Sequence, residues 1–249
     1  MSDVLEMSRS LERGNAEFDS YAQGYAAGMD NPAKRLLGDS ADDFIAIKLR
    51  WLLRTFPSLR SAGPSFRVLD YGCGTGTLLR LMQEAGLQVG LAGCDISGQM
   101  LEEGARCWPA NLAKPDLLPQ DGAAVPFGDG KFDLVIISAV LHHVPVADRA
   151  EVFTALHRCL RPHGQVVVFE HNPLNPVTRY VVAHTPIDQN AILLRARETQ
   201  ERLEWAQFEN VRTKYLMFFP PRLKSLAACE AALGWLPFGA QYATTALRR

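Results

Sequence analysis

The sequence predicts a single α/β domain, doubly wound around a mostly parallel seven-stranded sheet whose last strand runs antiparallel. Three observations lead to this. Strand-length apolar runs alternate with helical stretches from Phe66 to Leu160, as parallel strands joined by crossover helices do. A glycine-rich turn, Gly72-Cys73-Gly74-Thr75-Gly76, separates the first run from the first of those helices. Val211–Phe218 and Gln241–Leu247 then read as a hairpin-like pair that closes the sheet.

The elements follow in order. Residues 1–35 form a polar lead-in in which Phe18, Tyr21, Ala22 and Tyr25 recur at i, i+3, i+4 and i+7, one face of a helix. A second helix is expected over Ser40–Arg54, with Asp42 and Asp43 suiting its N-terminus. Strand Phe66–Tyr71 leads into helix Thr77–Ala85, and strand Gln88–Asp95 into helix Ser97–Cys107. A short strand is expected near Leu117–Pro119 and a buried one over Phe132–Ser138. Helix Ala147–Leu160, a turn at Arg161-Pro162-His163-Gly164 and strand Gln165–Glu170 complete the alternation. Pro173, Pro176 and Pro186 then break residues 171–190 into loop and short helix. Helix Glu198–Phe208 precedes the strand at Val211, and helix Arg222–Trp235 precedes the last one. The expected organisation is one domain: a lid over 1–35, a ligand-binding core over 36–170, a substrate cap over 171–197, and the rest of the sheet over 198–249.

Composition narrows the function classes. The 249 residues are 47% hydrophobic and 21% charged, ample for a core. A net charge of −1 supplies no basic field for nucleic acid. No apolar run reaches membrane-spanning length, and Met1–Asn15 has no apolar export core. The five cysteines are scattered without C-x-x-C spacing. That points to a reducing, cytoplasmic setting without a disulfide framework or structural zinc.

The chemistry-bearing residues cluster at strand carboxyl ends, where an open α/β sheet holds its ligand. Glycines in the first turn take the φ values it needs and bring backbone N–H groups to a ligand. Asp70 lies two residues before the first glycine, where a carboxylate repels a phosphate but can hold a cationic amine. Asp95 ends the second strand and suits hydrogen bonds to a ribose diol; beside Ser97, it also suits a helix N-cap. Asp121, followed by Gly122 and Ala123, can accept from an exocyclic amine. His142 and His143 follow the fourth strand and are candidate proton shuttles. Neighbours on a strand point opposite ways, so the pair should not reach one ligand unless the chain has turned. Glu170, His171 and Asn172 end the fifth strand, with substrate contact and loop-structuring as the two readings.

Taken together, the sequence resembles the class I S-adenosylmethionine-dependent methyltransferases over roughly Phe66 to Asn172. Val68-Leu69-Asp70-Tyr71-Gly72-Cys73-Gly74-Thr75-Gly76 looks like that family's glycine-rich first motif. Asp95 matches its ribose-binding acid, Ile96 and Met100 resemble residues flanking the adenine, and Asp121-Gly122 matches the adenine-edge motif. Leu160-Arg161-Pro162-His163-Gly164 is similar to the L-x-P-G-G turn, with His163 replacing a glycine. Phe18-Asp19-Ser20-Tyr21-Ala22-Gln23-Gly24-Tyr25 resembles the F-D-x-x-A-x-x-Y-D lid of small-molecule members, with Ala26 replacing the final aspartate. The resemblance implies a Rossmann-like fold and S-adenosyl-L-methionine as cofactor, leaving as S-adenosyl-L-homocysteine.

The resemblance also implies a cofactor site of Tyr21, Asp70, Gly72, Cys73, Gly74, Thr75, Gly76, Asp95, Ile96, Met100, Asp121, Gly122, Ala123, Ser138 and Ala139. The three glycines would make room for the cofactor's amino-acid end. Tyr25, Glu170, Asn172 and Arg179 are the candidate substrate contacts. Methyl transfer needs a base only if the acceptor carries a proton of high pKa; His143 or His142 is the first candidate, His171 or Glu170 the second. No metal is expected, since no carboxylate set shows metal spacing. The partner is a small molecule, on a monomer or homodimer, without nucleic acid or membrane. A non-catalytic binder sharing the fold is one alternative. A nicotinamide-dependent reductase is another, disfavoured by the G-x-G-x-G spacing and the absence of a Tyr-x-x-x-Lys pair.

Overall fold

A computed structural model describes residues 18–22, 41–220, 223 and 226–249. The chain forms one seven-stranded sheet. Its strands are β1 Arg67–Tyr71, β2 Gly90–Asp95, β3 Asp116–Pro119, β4 Phe132–Ser138, β5 Leu160–His171, β6 Phe208–Leu216 and β7 Gln241–Arg248. Its helices are α1 Ala41–Thr55, α2 Thr77–Glu84, α3 Gly98–Cys107, α4 Arg149–Cys159, α5 Pro176–Ala183, α6 Ala196–Trp205 and α7 Ala227–Leu233. The strand order is β3-β2-β1-β4-β5-β7-β6. The strands from β3 to β5 pair in parallel, and β7 is antiparallel to both β5 and β6. The order reverses between β1 and β4, which opens a crevice at their carboxyl ends.

Period-two alternation puts the strand residues into two cores. Val68, Leu134, Ile136 and Val167 face α1 and α2 through Leu52 and Leu79. Leu69, Val135, Ile137 and Val168 face α4 through Val152, Phe153 and Leu156. The central strands are therefore apolar on both faces, as a sheet covered on both sides requires.

Two boundaries differ from expectation for identifiable reasons. The turn expected at Arg161–Gly164 lies inside β5 as an irregularity. The register there moves from Phe132↔Leu160 to Leu134↔Gln165, and His163 takes a φ of 62°. Arg161 binds Asp133 at 2.8 Å, and that carboxylate also accepts the Arg67 N–H at 2.7 Å. Those contacts hold the looped residues on the sheet. The helix expected to run to Phe208 stops at Trp205 because Gln207 turns to a φ of 64°. β6 starts at Phe208, earlier than expected, with an irregular register between Glu209 and Arg212. No helix among the described residues is long and apolar enough to cross a membrane.

Candidate active site

The loop after β1 is shaped by its glycines and pinned to β2. Gly72, Gly74 and Gly76 have φ values of 70°, 53° and 76°, a region that L side chains avoid. The N–H groups of Gly72 and Cys73 donate to the Cys94 carbonyl at 2.8 and 3.0 Å. A Cβ on Gly72 would lie 2.4 Å from Val140 Cγ2. The direction in which a Gly72 side chain would project is thus filled by the turn after β4. We expect Gly72→Ala to cost about 2–4 kcal/mol, combining left-handed strain with overpacking. Denaturant unfolding checks this, and a midpoint equal to the parent's would contradict it.

Two carboxylates flank the loop. Asp70 is 3% exposed, and its Oδ1 makes no hydrogen bond among the described residues. Burial pushes its pKa up to about 7 against the pull of the Lys48 ammonium, which donates to Ser138 Oγ at 2.8 Å. A buried acceptor without a donor is costly, so this oxygen suits a cationic amine brought by a ligand. Asp95 accepts the Gly74 N–H at 2.7 Å and the Ser97 N–H at 2.9 Å. Burial pushes its pKa up, and these bonds oppose the shift. Ser97 caps α3 by accepting the Met100 N–H at 3.1 Å and contacts Asp19 Oδ1 at 2.5 Å.

Several other candidates from the sequence follow the carboxyl ends of β1, β2 and β3. Thr75 Oγ1 is 3.3 Å from Thr77 Oγ1, and Cys73 is buried. Met100 is buried on α3, while Ile96 is half-buried just before it. The Gly122 carbonyl accepts from Gln120 Nε2 at 3.1 Å, and the Tyr71 hydroxyl lies 3.5 Å from it. Asp121 is exposed and Ala123 half-buried beside it. Tyr21 closes a single turn by donating its N–H to the Phe18 carbonyl at 3.0 Å. The Phe18 ring meets His143 edge-on at 5.0 Å between centroids. Tyr25 lies outside the described residues.

After Ser138 the chain turns at once. Ala139 has a φ of 58° and donates its N–H to the Phe169 carbonyl at 2.8 Å. His143 N–H then closes a turn on the Val140 carbonyl at 2.9 Å. The two histidines therefore do not alternate as on a strand: both reach one carboxylate. Asp188 Oδ1 lies 3.6 Å from His142 Nε2 and 3.5 Å from His143 Nε2. The His142 ring is 1% exposed, and its Nδ1 lies 2.6 Å from Glu170 Oε2. Burial pulls the His142 pKa down, but Glu170 and Asp188 lift it to about 9. Burial and the neighbouring His142 charge lower His171 to about 3, so that ring is a neutral neighbour, 5.1 Å from His142 between centroids.

Two expected substrate contacts are taken up by neighbouring backbone, and a third lies at the surface. Glu170 is 1% exposed, and its Oε1 accepts the N–H groups of Val140 and Leu141 at 3.1 and 2.7 Å. With its other oxygen on His142, it structures the turn and does not face a substrate. Asn172 is also 1% exposed. Its Nδ2 donates to the carbonyls of Pro237 and Gly239 at 3.0 and 2.8 Å, and its Oδ1 accepts the Leu174 N–H at 3.1 Å. That amide ties the segment after β5 to the approach to β7. Arg179 is exposed on α5.

Sequence reasoning missed two residues. Asp188 ends a short turn opened by Pro186, with no local signal beyond that proline. Arg149 begins α4 and is 1% exposed. It donates to the carbonyls of Val144 and Ile192 at 3.1 and 2.7 Å and pairs with Glu198 at 3.0 Å. It thereby clamps the loop after Asp188 against the turn that carries the histidines.

A glycine loop at the switch point, with buried acids ending β1 and β2, defines a Rossmann-like fold built for an adenosyl cofactor. Residues 68–164 match the family described as "Methyltransferase domain". The demethylmenaquinone methyltransferase of Renibacterium salmoninarum is 32% identical over 183 residues, 70% of this chain and 73% of that protein. The protein of the same name from Beutenbergia cavernae is 34% identical over 161 residues, 62% of this chain and 61% of that one. A SAM-dependent methyltransferase structure from Archaeoglobus fulgidus superposes with a TM-score of 0.58 at 19% identity, covering 82% of this chain and 94% of that one. The chain belongs to the class I S-adenosylmethionine-dependent methyltransferases, which removes the reductase alternative. It spans 53–61% of the length of several curated relatives that it matches.

Proposed function

We propose that this protein transfers a methyl group from S-adenosyl-L-methionine to a small-molecule acceptor. The observation that carries the reading is Asp70 Oδ1 beside the glycine loop, buried without a hydrogen bond among the described residues, with Asp95 ending the next strand. The residues present fit the cofactor. Asp70 offers its free oxygen to the amino group, turn N–H groups suit the carboxylate, Asp95 suits the ribose diol, and Asp121 with Gly122 suits the adenine edge. The bound cofactor supplies a methyl already activated by a sulfonium, so positioning and exclusion of water remain for the protein.

The chain's residues divide that work. Phe18 and Asp19 lay the N-terminal turn over His143 and Ser97. His143 is the histidine closest to solvent in the cluster, its side chain 15% exposed; burial lowers its pKa. A neutral imidazole there can take a proton from an acceptor. Demethylmenaquinone, named in the curated relatives, is the first acceptor to try.

Calorimetry with S-adenosylmethionine should show one site, and incubation with that acceptor should release S-adenosylhomocysteine. No binding at millimolar cofactor would overturn the assignment. Binding without turnover across a broad acceptor panel would leave a non-catalytic binder. A chain beginning after Ala22 should keep its thermal midpoint within a few degrees, since Phe18–Ala22 belong to neither core, and lose at least about tenfold in turnover by exposing the site to water. Full activity of that truncation would remove the lid.

A further inference from the structure

The geometry points to a divalent metal site of the zinc type formed by His142 Nε2, His143 Nε2 and Asp188 Oδ1. Three ligand atoms of these residues lie within 4.8 Å of one another. The two nitrogen–oxygen separations are 3.6 and 3.5 Å. In a tetrahedral site with bonds of about 2.0–2.1 Å, neighbouring ligands stand about 3.3–3.4 Å apart. A movement of a few tenths of an ångström brings both nitrogen–oxygen pairs to that spacing, and the two nitrogens, within 4.8 Å of each other, would close further as an ion enters between them.

An independent observation comes from His142 itself. Its ring is buried, and Nε2 has no hydrogen bond among the described residues. A proton on that nitrogen would point at an oxygen 3.6 Å away, beyond hydrogen-bond reach. Meanwhile Nδ1 sits 2.6 Å from Glu170 Oε2. A carboxylate on one ring nitrogen directs the lone pair of the other outward, the arrangement that orients metal-binding histidines. Glu170 is held in turn by the N–H groups of Val140 and Leu141.

Charge and placement agree. Glu170 and Asp188 bring two negative charges into a buried space, a balance that one divalent ion completes when it takes the place of the proton on His142. The segment that carries Asp188 is tied down: the Asp188 N–H donates to the Thr185 carbonyl at 3.0 Å, and four residues on Arg149 donates to the Ile192 carbonyl while the Ile192 N–H donates to the His142 carbonyl at 2.8 Å. With three protein ligands, a fourth position stays open, as in zinc sites that bind a substrate oxygen. With the ion bound, His143 is a ligand and no longer the base, and the open position would instead lower the pKa of an acceptor presenting an oxygen donor, a role that rests on the methyl-transfer reading. The metal site itself does not rest on it.

The test uses the whole chain, stripped with a chelator and titrated with Zn²⁺ or Co²⁺ alone. One equivalent should bind with micromolar or tighter affinity, and cobalt should show the intense visible bands of tetrahedral coordination. Asp188→Asn and His143→Gln should each weaken binding by at least about thirtyfold, with cofactor affinity and thermal midpoint measured alongside to verify folding. Should the variants not fold, zinc-edge X-ray absorption on the unaltered protein decides, with two imidazoles expected in the ligand shell. Absence of stoichiometric binding, affinity unchanged in both variants, or a shell without imidazole would overturn the site. Cofactor binding is read separately, so the metal and the methyl-transfer proposals fail independently.

Discussion

Asp95→Ala is expected to weaken S-adenosylmethionine binding by about 100-fold, near 3 kcal/mol. The Asp95 carboxylate accepts from Gly74 and Ser97 and still has lone pairs for a ribose diol, since an ionised carboxylate offers about four acceptor sites. Its loss removes the ribose contact and frees the Gly74 N–H that shapes the loop. Asp95→Asn should fall between the two, keeping one acceptor oxygen and setting an amide against one of the two N–H donors. Calorimetry on protein with an unchanged unfolding midpoint checks the effect. An affinity within threefold of the parent's would remove Asp95 from the cofactor site.

Glu170→Ala is expected to destabilise the fold by about 3–5 kcal/mol, the range seen when one partner of a buried ion pair is removed. Three groups lose their acceptor together: the N–H of Val140, the N–H of Leu141 and His142 Nδ1. His142 is buried, so water cannot readily replace the lost carboxylate. At this chain length the loss corresponds to roughly a 10 °C fall in melting temperature. Glu170→Gln keeps the shape and one acceptor oxygen and should cost less. A substrate contact would behave differently, raising KM while leaving the melting temperature alone. That second pattern would restore Glu170 to the substrate face and undo the structural role assigned to it.

Most of the fold was legible because its signals are local. Phe132–Ser138 is apolar enough to mark a buried strand, and it is one, residue for residue. The glycine run marks a turn that needs positive φ, and all three glycines take it. The misplaced boundaries sit where backbone departs from its usual regions. Gln207 adopts a φ of 64°, which the residue type does not advertise. His163 shows the opposite limit. Its departure from the family turn was visible, but its place inside a strand was set by the Arg161–Asp133 pair and the ladder with β4.

The site divides the same way. From the sequence alone came the class of fold, the cofactor class and the strand ends proposed to hold it, because glycines and acids at those ends bear directly on backbone geometry and charge. Only the tertiary structure decided how the polar residues beyond β4 are used. The turn at Ala139 brings His142 and His143 to the same side, and Asp188 arrives from the turn at 186–188 to face both. Glu170 and Asn172, which could have met a substrate, are taken up by neighbouring backbone. Such pairings join residues far apart in the chain, and spacing carries no record of them. They are settled by which buried donors and acceptors packing leaves within reach of one another.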